Sequence, residues 1–475
     1  MAKNKKVEIS LEEKLKQALV LVDEQPYKIP NNWVWTRLGE IYNLFTGNSI
    51  PESEKTTKYI NLSNGYKYIA TKDISYDGEI NYENGVIIPY NEEKFKVAKA
   101  NSSLLCIEGG SAGRKVGIVD RDVCFVNKLC CFESNSNLES KIIYYYIKSE
   151  NFLSLFRENM NGLIGGVNLN NLKKIEFPLA PLNEQKRIVE KLDFLFDKTK
   201  KAKEIIEEIK VDIENRKVSI LDRAFKGILT SKWRNENKVS DVKELLKSIN
   251  DEKIKKWEED CIQAEKDGNK KPKKPIIKEI EDMIVPVEEQ PYKIPDSWVW
   301  VRLGDMGKIT SGGTPTSNEK SYYGGDIIWI TPADMSKQQS SPWFSNSSKK
   351  ITNLGLQKSS AQLIEGNSVV YSSRAPIGYV NIVKDKFATS QGCKSITPIK
   401  NSLMYIYYVL IERTEDIKYR ASGTTFKEIS ALEFGKTLVP LPPIEEQQEI
   451  VRILDEVLEN ENKVKELLEL EERID

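Results

Sequence analysis

Apolar residues follow two different spacings along this chain. Short runs such as VIIPY (86–90), SLLCIE (103–108), VGIV (116–119), DIIWIT (326–331), NSVVYSS (367–373) and YVNIV (379–383) are separated by glycine and asparagine clusters, which predicts strands joined by turns. The stretches 141–159 and 402–421 predict helices that follow these strands. Elsewhere the spacing becomes 4-3-4-3. It picks out Ile188, Leu192, Leu195, Thr199, Ala202, Ile206, Ile209, Ile213, Arg216 and Ile220, and again Ile450, Leu454, Val457, Glu461, Val464 and Leu468. Such heptads with charged flanks predict two long helices that pair as a coiled coil. Pro-Leu-Asn-Glu-Gln (181–185) and Pro-Ile-Glu-Glu-Gln (443–447) supply the helix starts, with acids in the first turn.

The pattern occurs twice. EQPYKIPNNWVWTRLGE begins at Glu24, and EQPYKIPDSWVWVRLGD begins at Glu289, 265 residues later. FPLAPLNEQKRIVEKLD begins at Phe177 and VPLPPIEEQQEIVRILD at Val439, an offset of 262. Trp33 and Trp35 therefore match Trp298 and Trp300; YIATKDI (68–74) faces WITPADM (329–335), pairing Asp73 with Asp334; TGNSI (46–50) faces SGGTP (311–315). A period this long is no solenoid. Matched ends imply a shared structural task, and the divergent middles are free to differ. Residues present in both copies are thus expected in packing, so the four tryptophans, Asp73 and Asp334 are assigned to structure.

The expected division is an N-terminal helical segment (1–25), a first α/β or α+β middle (26–177), a central long helix (178–234), a helical and basic linker (235–288), a second middle (289–438) and a closing long helix (439–475). Antiparallel pairing of the helices relates the halves by a pseudo-two-fold axis. A shared seam of roughly 32 residues is about 48 Å long, or about 14 base pairs of DNA. The run GNKKPKKP (268–275) reads first as a solvated tether and second as a phosphate contact. One departure from symmetry is that the second copy lacks a counterpart of ILDRAFKGILTSKWR (220–234); the stretch 7–24 is placed to complete that end by folding back.

Composition narrows the chemistry. The 71 basic and 71 acidic residues balance, and 39% of residues are hydrophobic. At roughly 100–200 residues per domain the length suggests several domains. No apolar run suits a membrane span, and the N-terminus has no apolar region of a secretory leader, so a cytoplasmic protein is expected. The absence of histidine excludes Ser-His-Asp and Cys-His nucleophiles, histidine-ligated zinc and HExxH peptidases. The six cysteines form no CxxC pair; a reduced chain is expected, with Cys130 and Cys131 in a strand. GxxxxGK[ST], NPPY and DPPY strings are missing, and GGSAGRK (109–115) has the wrong spacing for a phosphate loop. No catalytic residue and no metal site are assigned; a binding protein is favoured over an enzyme. Charge is also uneven. Residues 291–437 hold 18 basic and 12 acidic side chains, residues 26–177 hold 18 and 17, and residues 440–475 hold 4 and 12. The second middle is the better candidate for a basic face, and the acidic closing helix suits a protein partner.

Two divergent middles separated by helical ends carrying PLAPLNEQKRIV (178–189) and PLPPIEEQQEIV (440–451) resemble the specificity subunit of type I restriction–modification enzymes. SGGTP (311–315), WITPADM (329–335) and SSRAPIG (372–378) are similar to that family's second recognition domain, and 220–234 to its central region. The resemblance implies two target recognition domains, each reading one half of a bipartite site in double-stranded DNA. It implies helices that set the spacer and dock two methyltransferase subunits, which recruit restriction/translocase subunits. No cofactor is implied for this chain: S-adenosylmethionine, and ATP with magnesium for cleavage, belong to the partner subunits.

Base edges are read by Arg, Lys, Asn or Gln, and phosphates are held by basic side chains, hydroxyls or free N–H groups. Loop residues of these types are the DNA-binding candidates. They are Thr46, Gly47, Asn48, Lys72, Ser111, Arg114, Lys115, Asn127 and Lys128 in the first middle, and Ser311, Gly312, Gly313, Thr314, Ser373, Arg374, Thr389, Gln391 and Lys394 in the second. The plainer readings are tight turns for the glycines, solvation for the cations and satisfied backbone for Asn127 and Gln391. Glu184, Gln185, Glu446 and Gln447 at the helix starts are the partner-docking candidates, with helix capping as the alternative. The competing functions are a non-catalytic scaffold with two adaptor heads, and a carboxylate-cluster nuclease.

Overall fold

The structure, a computed structural model, describes residues 10–134, 138–160, 165–268, 270–423 and 427–471. Residues 1–9 of the expected N-terminal segment and 472–475 of the expected closing helix lie outside them. The chain divides into two compact units, 1–204 and 205–475. The boundary falls inside one continuous helix, Leu182–Phe225.

Each unit opens and closes on the same strand pair. Val34–Arg37 runs antiparallel to Glu176–Leu179 with Trp35 opposite Pro178; Val299–Arg302 runs antiparallel to Leu438–Leu441 with Trp300 opposite Pro440. The tryptophans are buried, as their presence in both copies predicted. Their indole Nε1 groups donate to Tyr27 O and Tyr292 O, each at 3.1 Å, and each ring meets that tyrosine edge-on at 4.9 Å. Leu38 N and Leu303 N donate to Ile175 O and Thr437 O, extending the same clasp.

Between these strands lies the head of each unit. In the first, Tyr42–Thr46, Leu129–Ser134, Ser103–Cys106 and Val116–Ile118 form an antiparallel sheet in that order. A second sheet is ordered Ile87–Ile88, Tyr66–Ile69, Val123–Phe125, Val97–Ala98, and its central pair is parallel. The second head repeats this plan with Gly307–Ser311, Cys393–Pro398, Ser368–Ser373 and Ile377–Val383, and with a smaller sheet of Lys350–Ile351, Tyr323–Ile330 and Phe387–Thr389. The α+β expectation holds for both. Cys130 and Cys131 lie buried in a strand, as expected. Asp73 and Asp334 have parallel structural roles: one carboxylate accepts from Ala70 N at 2.8 Å, the other from Thr331 N at 3.1 Å.

Helices follow the sheets at Ile142–Ile147 and Glu150–Glu158, and at Leu403–Glu412 and Thr414–Arg420. A long helix then starts at Leu182 or Ile444. At each start a buried glutamine pins the helix to its head. Gln185 accepts from Glu139 N at 3.0 Å and donates to Ala180 O at 2.7 Å; Gln447 accepts from Ser402 N at 3.0 Å and donates to Pro442 O at 3.1 Å. These two residues therefore hold the helix entry from inside and face no partner, a correction to the docking assignment.

Two further expectations change. The segment 235–288 is no free linker in the second unit. Val242–Lys266 is helical as expected, but Val242, Leu245, Leu246 and Ile249 are buried in the same core as Trp298, Ile406 and Leu454. Asn250 donates to Lys278 O at 2.9 Å, and Lys253 to Asp305 O at 2.9 Å. The predicted helix seam is also covered only in part. Ile213 is buried and Lys465 bonds Glu214 at 3.0 Å, yet Leu195 and Ile209 are 46% and 38% exposed, and Val464 is 43% exposed. Heptad spacing gives the stripe but does not state what covers it.

Below Glu214, the segment Leu221–Arg234 packs on the closing helix, Ile444–Glu471. Leu221, Ala224 and Phe225 share a core with Ile450, Leu454 and Leu458. The chain then turns at Gly227, and Thr230 and Arg234 donate to the fully buried carboxylate of Glu446 at 2.6 and 2.9 Å; Trp298 Nε1 donates to it at 2.8 Å. Glu446 thus closes an internal ion pair and offers nothing to a docking partner. Removing one member of a buried pair leaves the other uncompensated. Glu446→Ala is expected to lower the stability of this unit by about 3–5 kcal/mol in urea unfolding, whereas Glu184→Ala, half-buried at the equivalent place, changes it by less than about 1 kcal/mol.

Candidate nucleic-acid interface

Both heads end in a tip of the same construction. At Gly47 an added Cβ would lie 1.9 Å from Phe125 O, and at Gly312 1.9 Å from Ser390 O, so only glycine lets these turns cross the neighbouring loop. Val167 N donates to Ile107 O at 3.0 Å where Ile429 N donates to Ser373 O at 3.1 Å. Beside that bond, Glu108 bridges Gly166 in the first tip and Arg374 bridges Glu428 in the second.

In the first tip the structure brings four predicted residues together. Lys115 Nζ donates to Thr71 O at 3.3 Å, which joins the 109–115 loop to the turn holding exposed Lys72. Arg114 and Lys115 lie over the ring of Tyr76 at 5.7 and 5.1 Å, and Ser111 Oγ is 3.4 Å from its hydroxyl. Tyr76 is 57% exposed. The bond to Ser111 and then the two cations hold its phenol below the ordinary range. The sequence reading missed Tyr76, although an aromatic in the turn SYDG (75–78) was a visible signal. The exposed ring and the two cations over it form one positively charged patch.

The remaining first-tip residues divide. Asn127 is exposed and accepts from Ser49 Oγ at 2.6 Å, and Lys128 is exposed beside it, its carbonyl accepting from Ile107 N at 3.0 Å. Asn48 is committed to the backbone: its side chain accepts from Lys96 N at 2.9 Å and its carbonyl from Tyr68 OH at 2.8 Å. Gly47 is a close crossing and Thr46 the half-buried end of its strand.

In the second tip burial removes several candidates. Thr389 and Ser373 are fully buried, and Lys394 is 3% exposed. Lys394 Nζ donates to Ser373 Oγ at 3.1 Å, Gln391 O at 3.0 Å and Glu428 Oε1 at 3.3 Å. An ammonium held this way positions the loop and does not reach a groove. Gly313 is likewise buried, and its carbonyl accepts from Trp329 Nε1 at 3.0 Å. What remains accessible is Arg374, 40% exposed and 3.4 Å from Glu428 Oε2, with exposed Thr314 and Gln391 and half-buried Ser311 and Gly312. Of the neighbouring polar residues Thr389, Ser390 and Gln391 the first two are buried and the third exposed, and loop sequence does not state which.

Among the described residues no group of histidine, cysteine, aspartate or glutamate could hold a metal, and no helix is long and apolar enough to cross a membrane.

Comparison with known proteins agrees with this two-headed plan. The family model described as type I restriction modification DNA specificity domain matches residues 30–211 and again 295–472. A type I restriction enzyme MjaIX specificity subunit of Methanocaldococcus jannaschii is 35% identical over 184 residues, 37% of this chain and 42% of that protein. The EcoR124I/EcoR124II specificity subunit of Escherichia coli is 33% identical over 165 residues, 33% of this chain and 40% of that protein. The match thus spans about two-fifths of these relatives' length. The HsdS subunit from Thermoanaerobacter tengcongensis has the same fold, with a TM-score of 0.56 at 19% identity over 93% of each chain. A chain solved in work on assembly and conformational transition of the type I R-M system gives 0.62 at 19% identity, covering 94% of this chain and 95% of that one. The family model covers well over half of the chain, in the two places where the strand clasp and the tip recur: this chain belongs to the type I restriction–modification DNA specificity family and carries two copies of its domain.

Proposed function

We propose that this chain is the DNA-reading subunit of a type I restriction–modification complex, each tip reading one half of an asymmetric split site in double-stranded DNA. The observation that carries the reading is that two heads of one fold differ at equivalent points of their tips: Glu108 and Gly166 stand where the second head has Arg374 and Glu428. Two readers built alike but lined differently suit two unlike half-sites. Arg114, Lys115, Lys72 and Tyr76 form the contact face of the first head; Arg374, Gln391 and Thr314 that of the second.

The chain delegates chemistry to other subunits. S-adenosylmethionine serves a methyltransferase partner, and ATP with magnesium a translocating one. The long helices pair antiparallel and set the spacer, a reading supported by Glu214 meeting Lys465 while Thr230 and Arg234 meet Glu446. The exposed apolar positions between Phe194 and Val211, with Leu467 and Leu470, supply the face for two methyltransferase subunits. The complex works in the cytoplasm.

Mapping modified adenines in a genome carrying the chain is expected to give a split motif with a fixed gap, and exchanging residues 26–177 for those of a relative to change one half only. An unsplit motif, or both halves changing, would overturn the reading. DNA binding by the chain with its methyltransferase partners should weaken with salt, and removing Arg114 and Lys115 together should reduce the log–log salt slope by about 1–2.

The roles in the second tip separate by measurement. Arg374→Ala is expected to lower DNA affinity with less than about 1 kcal/mol change in stability. Lys394→Met is expected to destabilise the second unit by about 2–3 kcal/mol, because it strips a hydrogen-bonded cation from the buried end of the loop. Equal effects of both on thermal unfolding would refute the division.

A further inference from the structure

Tyr76 stands on a turn that the first head fastens at more than one point. Ile74 and Ile80 close the turn by an antiparallel bridge, and Ser75 Oγ accepts from Glu79 N at 3.0 Å. The Tyr76 side chain goes to Ser111, Arg114 and Lys115. The carbonyl of the next residue, Asp77, takes two donors of its own: Lys148 Nζ at 2.9 Å and Tyr144 OH at 3.3 Å. Lys148 also lies 4.7 Å over the Tyr144 ring, so the two side chains reach the carbonyl as one unit. Gly78, at φ +95°, leaves them room, for an added Cβ would lie 2.5 Å from the Tyr144 hydroxyl.

Both donors come from a rigid support. Tyr144 lies in the helix Ile142–Ile147 and Lys148 follows it; Ile143 and Ile147 are buried in the core of the head. The neighbouring Tyr145 donates to Asp193 of the long helix and stacks on Phe196 at 5.4 Å. A further tie, Glu79 to Lys200 at 3.2 Å, joins two largely exposed side chains and contributes little. The placement of Asp77 therefore falls first to Lys148, since a hydrogen bond from an ammonium is stronger than one from a neutral hydroxyl.

The second head holds the equivalent segment by other means. Residues 336–340 follow Asp334 as 75–79 follow Asp73. There Asn381, in the strand Ile377–Val383, donates to Gln338 O at 3.0 Å and accepts from Gln339 Nε2 at 3.1 Å. Tyr408 bonds Asp455 as Tyr145 bonds Asp193, which makes Tyr407 and Ile411 the counterparts of Tyr144 and Lys148. Ile411 packs against the core. The ammonium thus belongs to the first head, where its bonds go to the turn and to the tyrosine that shares it.

We infer that Lys148, with Tyr144, is a positioning residue for the first half-site. It holds the Asp77 carbonyl so that Tyr76 and the cations over it meet DNA as one preformed surface. A turn already ordered loses less freedom on binding than one ordered by its ligand. The inference rests on the proposed reading of DNA by this face, and it assigns the effect to one half of the site.

The test uses the full chain with its methyltransferase partners and duplexes carrying the split site mapped for this chain. Lys148→Ile gives the first head the second head's residue. Binding read by fluorescence anisotropy is expected to weaken about tenfold, on the order of one charge-assisted hydrogen bond. Base changes in the first half then cost less than they do in the unaltered complex, and changes in the second half cost the same. The log–log salt slope stays as it was, because the ammonium touches no phosphate. Tyr144→Phe acts on the same half by a smaller factor, and Lys148→Arg recovers most of the affinity. In the free chain, hydrogen–deuterium exchange of Lys148→Ile rises at 74–80 and nowhere else in the head. Unchanged affinity, equal losses at both halves, or a salt slope lower by about 1, the mark of a direct phosphate contact, would each overturn the inference. Exchange separates the two proposals: a complex that reads no split site refutes the DNA reading, whereas exchange at 74–80 unmoved by Lys148→Ile refutes the placement whatever the DNA result.

Discussion

The antiparallel pairing of each unit's first strand with its last is the constraint on which the rest depends. It fixes Trp35 opposite Pro178 and Trp300 opposite Pro440. Fully burying a tryptophan removes a large apolar surface from water, and its indole N–H then needs a partner, which the tyrosine carbonyl eight residues earlier supplies. With both ends of a head clamped in one short ladder, the chain enters and leaves at the same base. Everything between becomes an insertion whose loops can change without disturbing the clasp or the helix that follows it. That is why the sequence repeats at 24–40 and 289–305 and at 177–193 and 439–455, and fades between.

What the sequence made legible follows from the same constraint. Residues common to both copies were assigned to packing, and Trp35, Trp300, Trp298, Asp73 and Asp334 all lie in it. Strand and helix order, and the placement of Cys130 and Cys131, were legible because their periodicity is set by burial on one or both faces. The candidate site was less so. Arg114, Lys115 and Ser111 came together around Tyr76, but Thr389, Ser373 and Lys394 face inward. A loop has no period, so side-chain direction is fixed by contacts distant in sequence, such as Lys394 with Glu428. The same applies to 242–249, which read as a helix within a linker and whose apolar positions are enclosed in a core with residues 221–225 and 283–458.

The helix starts show how a surface motif can mislead. Glu-Gln at 184–185 and 446–447 has the composition of an exposed, acid-rich first turn. Gln185 and Gln447 instead face inward, because the backbone N–H of Glu139 and of Ser402 needs an acceptor inside the head. Glu446 is buried because Arg234, Thr230 and Trp298 supply donors enough to replace its hydration; Glu184 has one donor and stays half-buried. A carboxylate's burial follows from the donors around it, and those donors lie over 140 residues away in sequence.

The tips diverge by linked changes, and physics explains the linkage. Strand register places Cys130 opposite Thr46 and Lys394 opposite Ser311, so a buried thiol in one head occupies the place of a buried ammonium in the other. Burial raises the thiol's pKa and keeps it neutral, and Cys130 needs no counter-charge. An ammonium at that place does, and Glu428 supplies it across the bridge where the first head has Gly166. The carboxylate so introduced also meets Arg374, which stands where the first head has Glu108. Exchanging Lys394 or Glu428 alone leaves the other without its charged partner. A head on this frame therefore changes its tip in groups of contacting residues, from the buried strand position out to the exposed arginine.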